Sequence, residues 1–183
     1  MTGALFYFVA ALAMCYGLAK VKSQQTSVRA PFVSVLIPAR NEQKNIRACL
    51  ESVLNQDYPD YEVIVLNDHS EDKTLDIARE FAKHDSKLKI IDLDSLPPGV
   101  APKKAAIETG VKNSAGEIIV TTDADCIVKK SWLKSLVCLF DNNTGAVLAW
   151  LKVIPDGRFF SQVESLDSLF YSFIGAAMVG LGR

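Results

Sequence analysis

Two carboxylates, Asp123 and Asp125, flank Ala124 directly after the apolar run EIIVTT. A hard divalent cation takes oxygen ligands, and Mg2+ commonly accepts one or two carboxylates while phosphates and water complete its shell. The triplet therefore suits Mg2+ or Mn2+ held beside a phosphorylated ligand, although acidic residues in turns also serve simply as solvated turn formers. Other polar groups stand at comparable places. Pro38, Ala39, Arg40, Asn41 and Glu42 close the run FVSVLI, and Asn67, Asp68, His69 and Ser70 close EVIVL. Each has a plainer alternative. Arg40 and Glu42 could form a surface pair at a helix start, where the helix dipole favours Glu. Asp68 could be a turn former or cap, and Lys103 and Lys104 a solvated helix start. His69 and His84 are the only histidines and accompany no Ser or Cys nucleophile motif, so neither takes a catalytic role. Cys126 reads as a small packing residue, and Trp132 and Trp150 as packing aromatics.

These groups need elements that bring them together. Short apolar, β-branched runs predict strands at 32–38, 62–66, 88–93, 117–121 and 146–153. Apolar residues at helical spacing predict helices at 42–56, 73–83, 103–113 and 131–140. Strands alternating with such helices imply an α/β fold with a parallel sheet covered on both faces. Ligands then bind at the carboxyl ends of the strands, where the polar groups above are expected to converge. No G-x-G-x-x-G follows the first strand and no G-x-x-x-x-G-K-[ST] occurs, so neither a dinucleotide fingerprint nor a P-loop is supported.

The chain has 183 residues, enough for one main domain. A net charge of -1 gives no field to recruit a polyanion, which disfavours nucleic acid as a partner. Four cysteines without C-x-x-C spacing fit a reducing compartment. Residues 3–19 carry no charge and approach the length that spans a bilayer, so residues 1–22 are expected to form an uncleaved transmembrane anchor. The basic residues follow this run instead of preceding it, which speaks against a cleaved signal peptide. Lys20, Lys22 and Arg29 then place the rest of the chain in the cytoplasm. Residues 23–31 read as a linker, 32–154 as the globular domain and 155–183 as an apolar helix facing the membrane surface or further helices.

Four segments in order, VSVLIPARNE (33–42), EVIVLNDHSEDKT (62–74), PKKAAIETG (102–110) and EIIVTTDADC (117–126), resemble the successive motifs of family 2 glycosyltransferases of the GT-A fold. The resemblance implies a Rossmann-like, mostly parallel sheet and a metal-dependent, inverting transfer of sugar from a UDP-sugar to a glycan or lipid acceptor at the cell membrane. It assigns Pro38, Ala39, Arg40, Glu42 and Asp68 to the uracil and ribose pocket, and Lys103 to the neighbourhood of the nucleotide. Asp123, Ala124 and Asp125 become the D-x-D motif, with Asp123 toward the ribose and metal and Asp125 ligating Mg2+ or Mn2+. Asn67 departs from a position that is often acidic in the family, and Glu108 from one that is often Asn. The family's acceptor segment and base carboxylate are expected beyond Arg183, so no catalytic base is assigned within these residues and the chain reads as part of a longer protein. A nucleotide-sugar-binding module without transfer activity is the alternative. A receiver-like signalling domain fits the PARNE and DAD motifs poorly.

Overall fold

The computed structural model describes residues 9, 11–17, 19, 30–93, 101–141, 143–149, 152, 163, 165–168, 174–175 and 177. Thr26–Asp141 form one compact unit, and Met1–Gln25 with Asn142–Arg183 a second. Among its described residues the first holds four strands, β1 (Val33–Ala39), β2 (Tyr61–Asn67), β3 (Leu88–Asp92) and β4 (Ile118–Thr121). Between and after them come α1 (Ile46–Leu54), α2 (Thr74–Ala82), α3 (Pro102–Lys112) and α4 (Trp132–Val137). The strands are all parallel, in the order β3-β2-β1-β4.

This order follows from where apolar surface must go. β1 and β2 are apolar on both faces, so they occupy the middle of the sheet with helices on either side. Val33, Val35 and Ile37 join Val63 and Val65 in a core with Ile46, Leu50 and Val53 of α1, Ala78 of α2 and Leu133 of α4. Leu36, Ile64 and Leu66 point the other way and pack on Ala106 of α3. Gly110 lets α3 lie close to the sheet, because a Cβ there would stand 2.8 Å from Leu66 Cδ1 and 3.0 Å from Leu36 Cδ1. Trp132 packs against the first core, as a packing aromatic should, while Trp150 lies outside the described residues.

The chain crosses the sheet between β3 and β4, so the order reverses beside β1. β4 ends opposite Leu36, whereas β1 runs on through Ile37, Pro38 and Ala39 beside β2. The proline accounts for this. Leu36 O accepts Thr122 N and Ala39 O accepts Asp68 N, so alternate residues of β1 serve its two neighbours and Pro38 falls on the β4 side. Having no N–H, it cannot continue that ladder, and the two strands part.

At the opposite end of the sheet a buried polar clasp fixes where β4 begins. Ser34 Oγ donates to Glu62 Oε1 (2.7 Å) and accepts Gly116 N (2.8 Å). Ala115 N and Lys89 Nζ also donate to the Glu62 carboxylate, at 2.8 and 2.6 Å. Gly116 must be glycine here, since a Cβ would lie 2.4 Å from Ser34 N.

Within residues 32–141 the expected elements hold apart from their ends, and one expected strand after them does not. Residues 43–45 form a turn that delays α1 to Ile46, with Asn45 N and Ile46 N both donating to Glu42 O. α1 stops before Gln56, whose side chain donates instead to Ser52 O, one of the helix's terminal carbonyls. α4 ends at Val137 because Leu139 N and Phe140 N tighten into i→i−3 bonds. The strand expected at 146–153 is not present among its described residues. Residues 144–149 are irregular, and Leu148 is 74% exposed, so no ladder or apolar face supports a strand there. In the second unit residues 11–17 are helical, with Leu12 and Tyr16 exposed, as are 163, 165–168, 174–175 and 177. Among the described residues no helix is long and apolar enough to cross a membrane, and much of 1–22 and of 155–183 lies outside them.

Glu62 supplies a test of the clasp. Burial raises the pKa of its carboxyl, but the bonds from Lys89, Ala115 N and Ser34 outweigh burial and hold it below the ordinary 4.5. A carboxylate with a depressed folded value contributes stability above its unfolded value and loses it as pH falls through the folded one. Glu62→Gln is expected to lower stability above pH 4.5 and to flatten its decline below, as measured by urea denaturation on either side of that value.

Candidate functional site

Where β1 and β4 diverge, the three strand ends and the start of α3 enclose a cleft of about 450 Å³. Pro38, Ala39, Arg40 and Glu42 line it from β1, Asp68 from β2, Asp123, Ala124 and Asp125 from β4, and Lys103 from α3. The nine residues that the resemblance assigned to the site thus meet in one place, whereas Asn41, Asn67, His69 and Ser70, also expected at the strand ends, do not line it. Ala101, Pro102 and Ala106 complete the lining. As small apolar residues they gave no chemical signal in the sequence, and only the packing of α3 brings them to the cleft.

Two loops position the β1 and β2 side of the cleft by bonding to each other. Asn41 N donates to Ser70 Oγ (3.1 Å), and Glu71 N donates back to Asn41 Oδ1 (2.9 Å). Gln43 N donates to Asp72 Oδ2 (3.0 Å) and Lys73 N to Gln43 Oε1 (3.3 Å). Beneath them the buried Thr74 hydroxyl accepts Glu42 N at 2.7 Å and donates to Asp72. To make these bonds Asn41 and His69 adopt left-handed backbone, φ 56° and 53°. Asparagine tolerates that conformation well and histidine less so. The latch fixes Glu42 through its own backbone and holds the loops that follow Arg40 and Asp68.

It also decides between the alternatives open in the sequence. Glu42 does not pair with Arg40, since its Oε2 accepts Asn45 Nδ2 at 2.7 Å. Arg40 Nη1 instead stands 3.8 Å from Asp68 Oδ2, and His69 Nδ1 lies 3.0 Å from Asp68 Oδ1. Asp68 is not the turn former that opens α2. Asp72 takes that place, accepting Thr74 N at 2.9 Å, which leaves Asp68, only 6% exposed, to the cleft. Thr74 and Asp72 were missed in the sequence, although an Asp two residues before a helical Thr is a helix-start signal. Asn67 does not line the cleft, its Nδ2 donating to Asp92 Oδ1 at 2.7 Å, and Glu108 pairs with Lys112 on the outer turn of α3.

The acidic turn is pinned from behind. Cys126 N closes it on Asp123 O (3.1 Å), and Cys49 Sγ reaches the same carbonyl at 3.6 Å. Burial is the main reason that the Cys49 thiol rises to about 12, so it packs as a neutral group. The C-terminal end of α1 grips the next residues: Ser52 Oγ accepts Val128 N, Gln56 Nε2 donates to Lys129 O and Gln56 Oε1 accepts Leu133 N. Across the cleft mouth Lys103 Nζ lies 2.6 Å from Asp123 Oδ1, so Lys103 is paired and not simply solvated.

The profile of Glycosyl transferase family 2 matches residues 34–180. The chain belongs to glycosyl transferase family 2. It is 40% identical over 106 residues to Glycosyltransferase AglE of Haloferax volcanii, covering 57% of this chain and 34% of that protein. Among solved structures it resembles the mannosyltransferase PcManGT of Pyrobaculum calidifontis, in complex with GDP-Man and Mn2+ (TM-score 0.64, 26% identity, 87% of this chain and 48% of that one). It also resembles S. aureus TarS 1–349 in complex with UDP-GlcNAc (TM-score 0.53, 26% identity, 66% of this chain and 38% of that one). The chain thus spans about a third of the length of AglE.

For a family 2 member the cleft's donor set fits a divalent cation shared with a phosphorylated ligand. Asp123 and Asp125 offer hard oxygens, but among the described residues no group of three or more His, Cys, Asp or Glu side chains surrounds one point. Two carboxylates leave most of an octahedral shell to phosphate and water. Charge agrees with this. Arg40 and Lys103 face Glu42, Asp68, Asp123 and Asp125, a surplus of two negative charges, so a diphosphate alone would meet repulsion.

The latch is open to test. Thr74→Val keeps the shape and leaves Glu42 N without its acceptor, so stability is expected to fall by about 1–3 kcal/mol. Urea denaturation measures the loss, and an unchanged midpoint would show that the two loops hold without this hydroxyl.

Proposed function

We propose that this chain carries the donor-binding part of a membrane-bound, metal-dependent glycosyltransferase that moves a sugar from a nucleotide diphosphate to a glycan or lipid acceptor. The observation that carries this reading is the acidic turn facing two cations across the divergence of β1 and β4. Arg40 and Asp68 contact the ribose and base with Pro38, Ala39 and Glu42, and the preferred nucleotide is uridine, as the resemblance implies. Asp125, with Asp123, holds Mg2+ or Mn2+. As a Lewis acid on the pyrophosphate the ion would stabilise the leaving nucleotide diphosphate. Lys103 adds positive charge at the same place. Transfer inverts the anomeric centre as a general base deprotonates the acceptor hydroxyl. The uncharged run 3–19 anchors the protein, and the basic residues after it keep the donor site in the cytoplasm.

Asp125→Asn keeps the side chain's shape and removes its charge. In the parent, UDP and Mn2+ are expected to strengthen each other's binding by about 1–3 kcal/mol, reciprocally. The variant is expected to lose that coupling while binding the metal-free nucleotide almost as before. Calorimetry decides, and a folded variant with the parent's coupling would remove Asp125 from the metal site. Orientation has its own test: protease added outside right-side-out vesicles is expected to spare residues 32–154, and their digestion would reverse the topology.

A further inference from the structure

The Lys103–Asp123 pair does more than add a cation to the cleft. Lys103 Nζ sits 2.6 Å from Asp123 Oδ1, on an oxygen that a shared metal would need. Pro102 fixes the first turn of α3, and Ala105 and Ala106 are buried against the sheet, so the backbone under Lys103 is held while its long side chain stays 61% exposed. Asp123 is 54% exposed, and a pair so open to water is weak and readily exchanged. On the other bank Arg40, itself 57% exposed, stands 3.8 Å from Asp68 Oδ2, so its partner is not a carboxylate of the acidic turn. Lys103 is therefore the cleft cation whose partner a metal would take.

We infer that Lys103 is an exchangeable counter-ion: it neutralises Asp123 while the cleft is empty and moves to the donor's diphosphate when a divalent cation takes its place. The inference rests on the donor-site reading above and adds to it a direction of control. A cation arriving alone must displace Lys103 and leave that ammonium beside a second positive charge. A cation arriving with a diphosphate releases Lys103 onto new negative charge, so every carboxylate and phosphate keeps a partner. Lys103 thereby opposes metal binding in the absence of nucleotide and favours the two together. A lysine that only contacts the nucleotide would have the second effect without the first.

The test reads both signs on the whole 183-residue chain. With Mn2+ alone, followed by its EPR signal, Lys103→Met is expected to tighten binding about two- to five-fold. With UDP titrated in the presence of Mn2+, the same variant is expected to bind about ten-fold more weakly, or worse. In an Asp123→Asn background Lys103→Met should leave Mn2+ affinity unchanged, because the partner of the exchange is already gone. The inference is overturned if Lys103→Met fails to strengthen Mn2+ binding, or strengthens it equally in both backgrounds, which would be a long-range charge effect. If the parent shows metal-enhanced UDP binding and only these results fail, the donor site stands and Lys103 is not its exchangeable ion. If the parent shows no such enhancement, the donor-site reading fails and takes this inference with it.

Discussion

β1 must serve two neighbours at once, and the point at which it can no longer do so creates the cleft. Alternate peptide groups of β1 reach β2 and β4, and on the β4 side the series arrives at Pro38, which has no hydrogen to give. Beside β2 the ladder continues to Ala39, while β4 turns away after Thr121. The carboxylates of the acidic turn are thus held at the sheet yet not buried in it. At the other end the Ser34–Glu62–Gly116 clasp sets the register of β4, and so determines that Asp123 and Asp125 emerge where the strands part.

Stability and chemistry occupy different parts of this unit. The interactions that hold it together are buried: the two apolar cores, the Glu62 clasp and the Thr74 hydroxyl under the two loops. The charged groups that line the cleft are mostly open to water, as Lys103 and Asp123 show. Weak pairing is useful there, because a pair worth little is exchanged for a ligand at little cost. Asp68 is the exception. It is buried, and Arg40 and His69 surround it, so it is built as a fixed contact.

Much of this was legible in the residues. Parallel α/β architecture followed from apolar runs alternating with amphipathic segments, because burial on both faces makes a strand continuously apolar and burial on one face gives a helix its period, and both patterns are local. Arg40, Glu42, Asp68, Asp123 and Asp125 were legible because charged groups placed directly after buried strands have only one rim to occupy, whereas Lys103 came only with the family resemblance. The strand expected at 146–153, whose described residues are irregular, shows the limit of such reading. An apolar run becomes a strand only where a neighbour offers unpaired peptide groups, and the local sequence does not contain that neighbour.

By itself the sequence determined the kind of elements, their order and which side chains would reach the strand ends, since these depend on residue type and on spacing along the chain. Tertiary structure alone decided which partner each side chain takes. Asp72 instead of Asp68 opens α2, Asn45 instead of Arg40 holds Glu42, and Lys103 crosses from α3 to Asp123. The two loops that bond at Asn41 and Glu71 are thirty residues apart. Distances of that kind are set by the packing of helices on a sheet, and hydrogen bonds, which act over about 3 Å, can be assigned only after that packing exists.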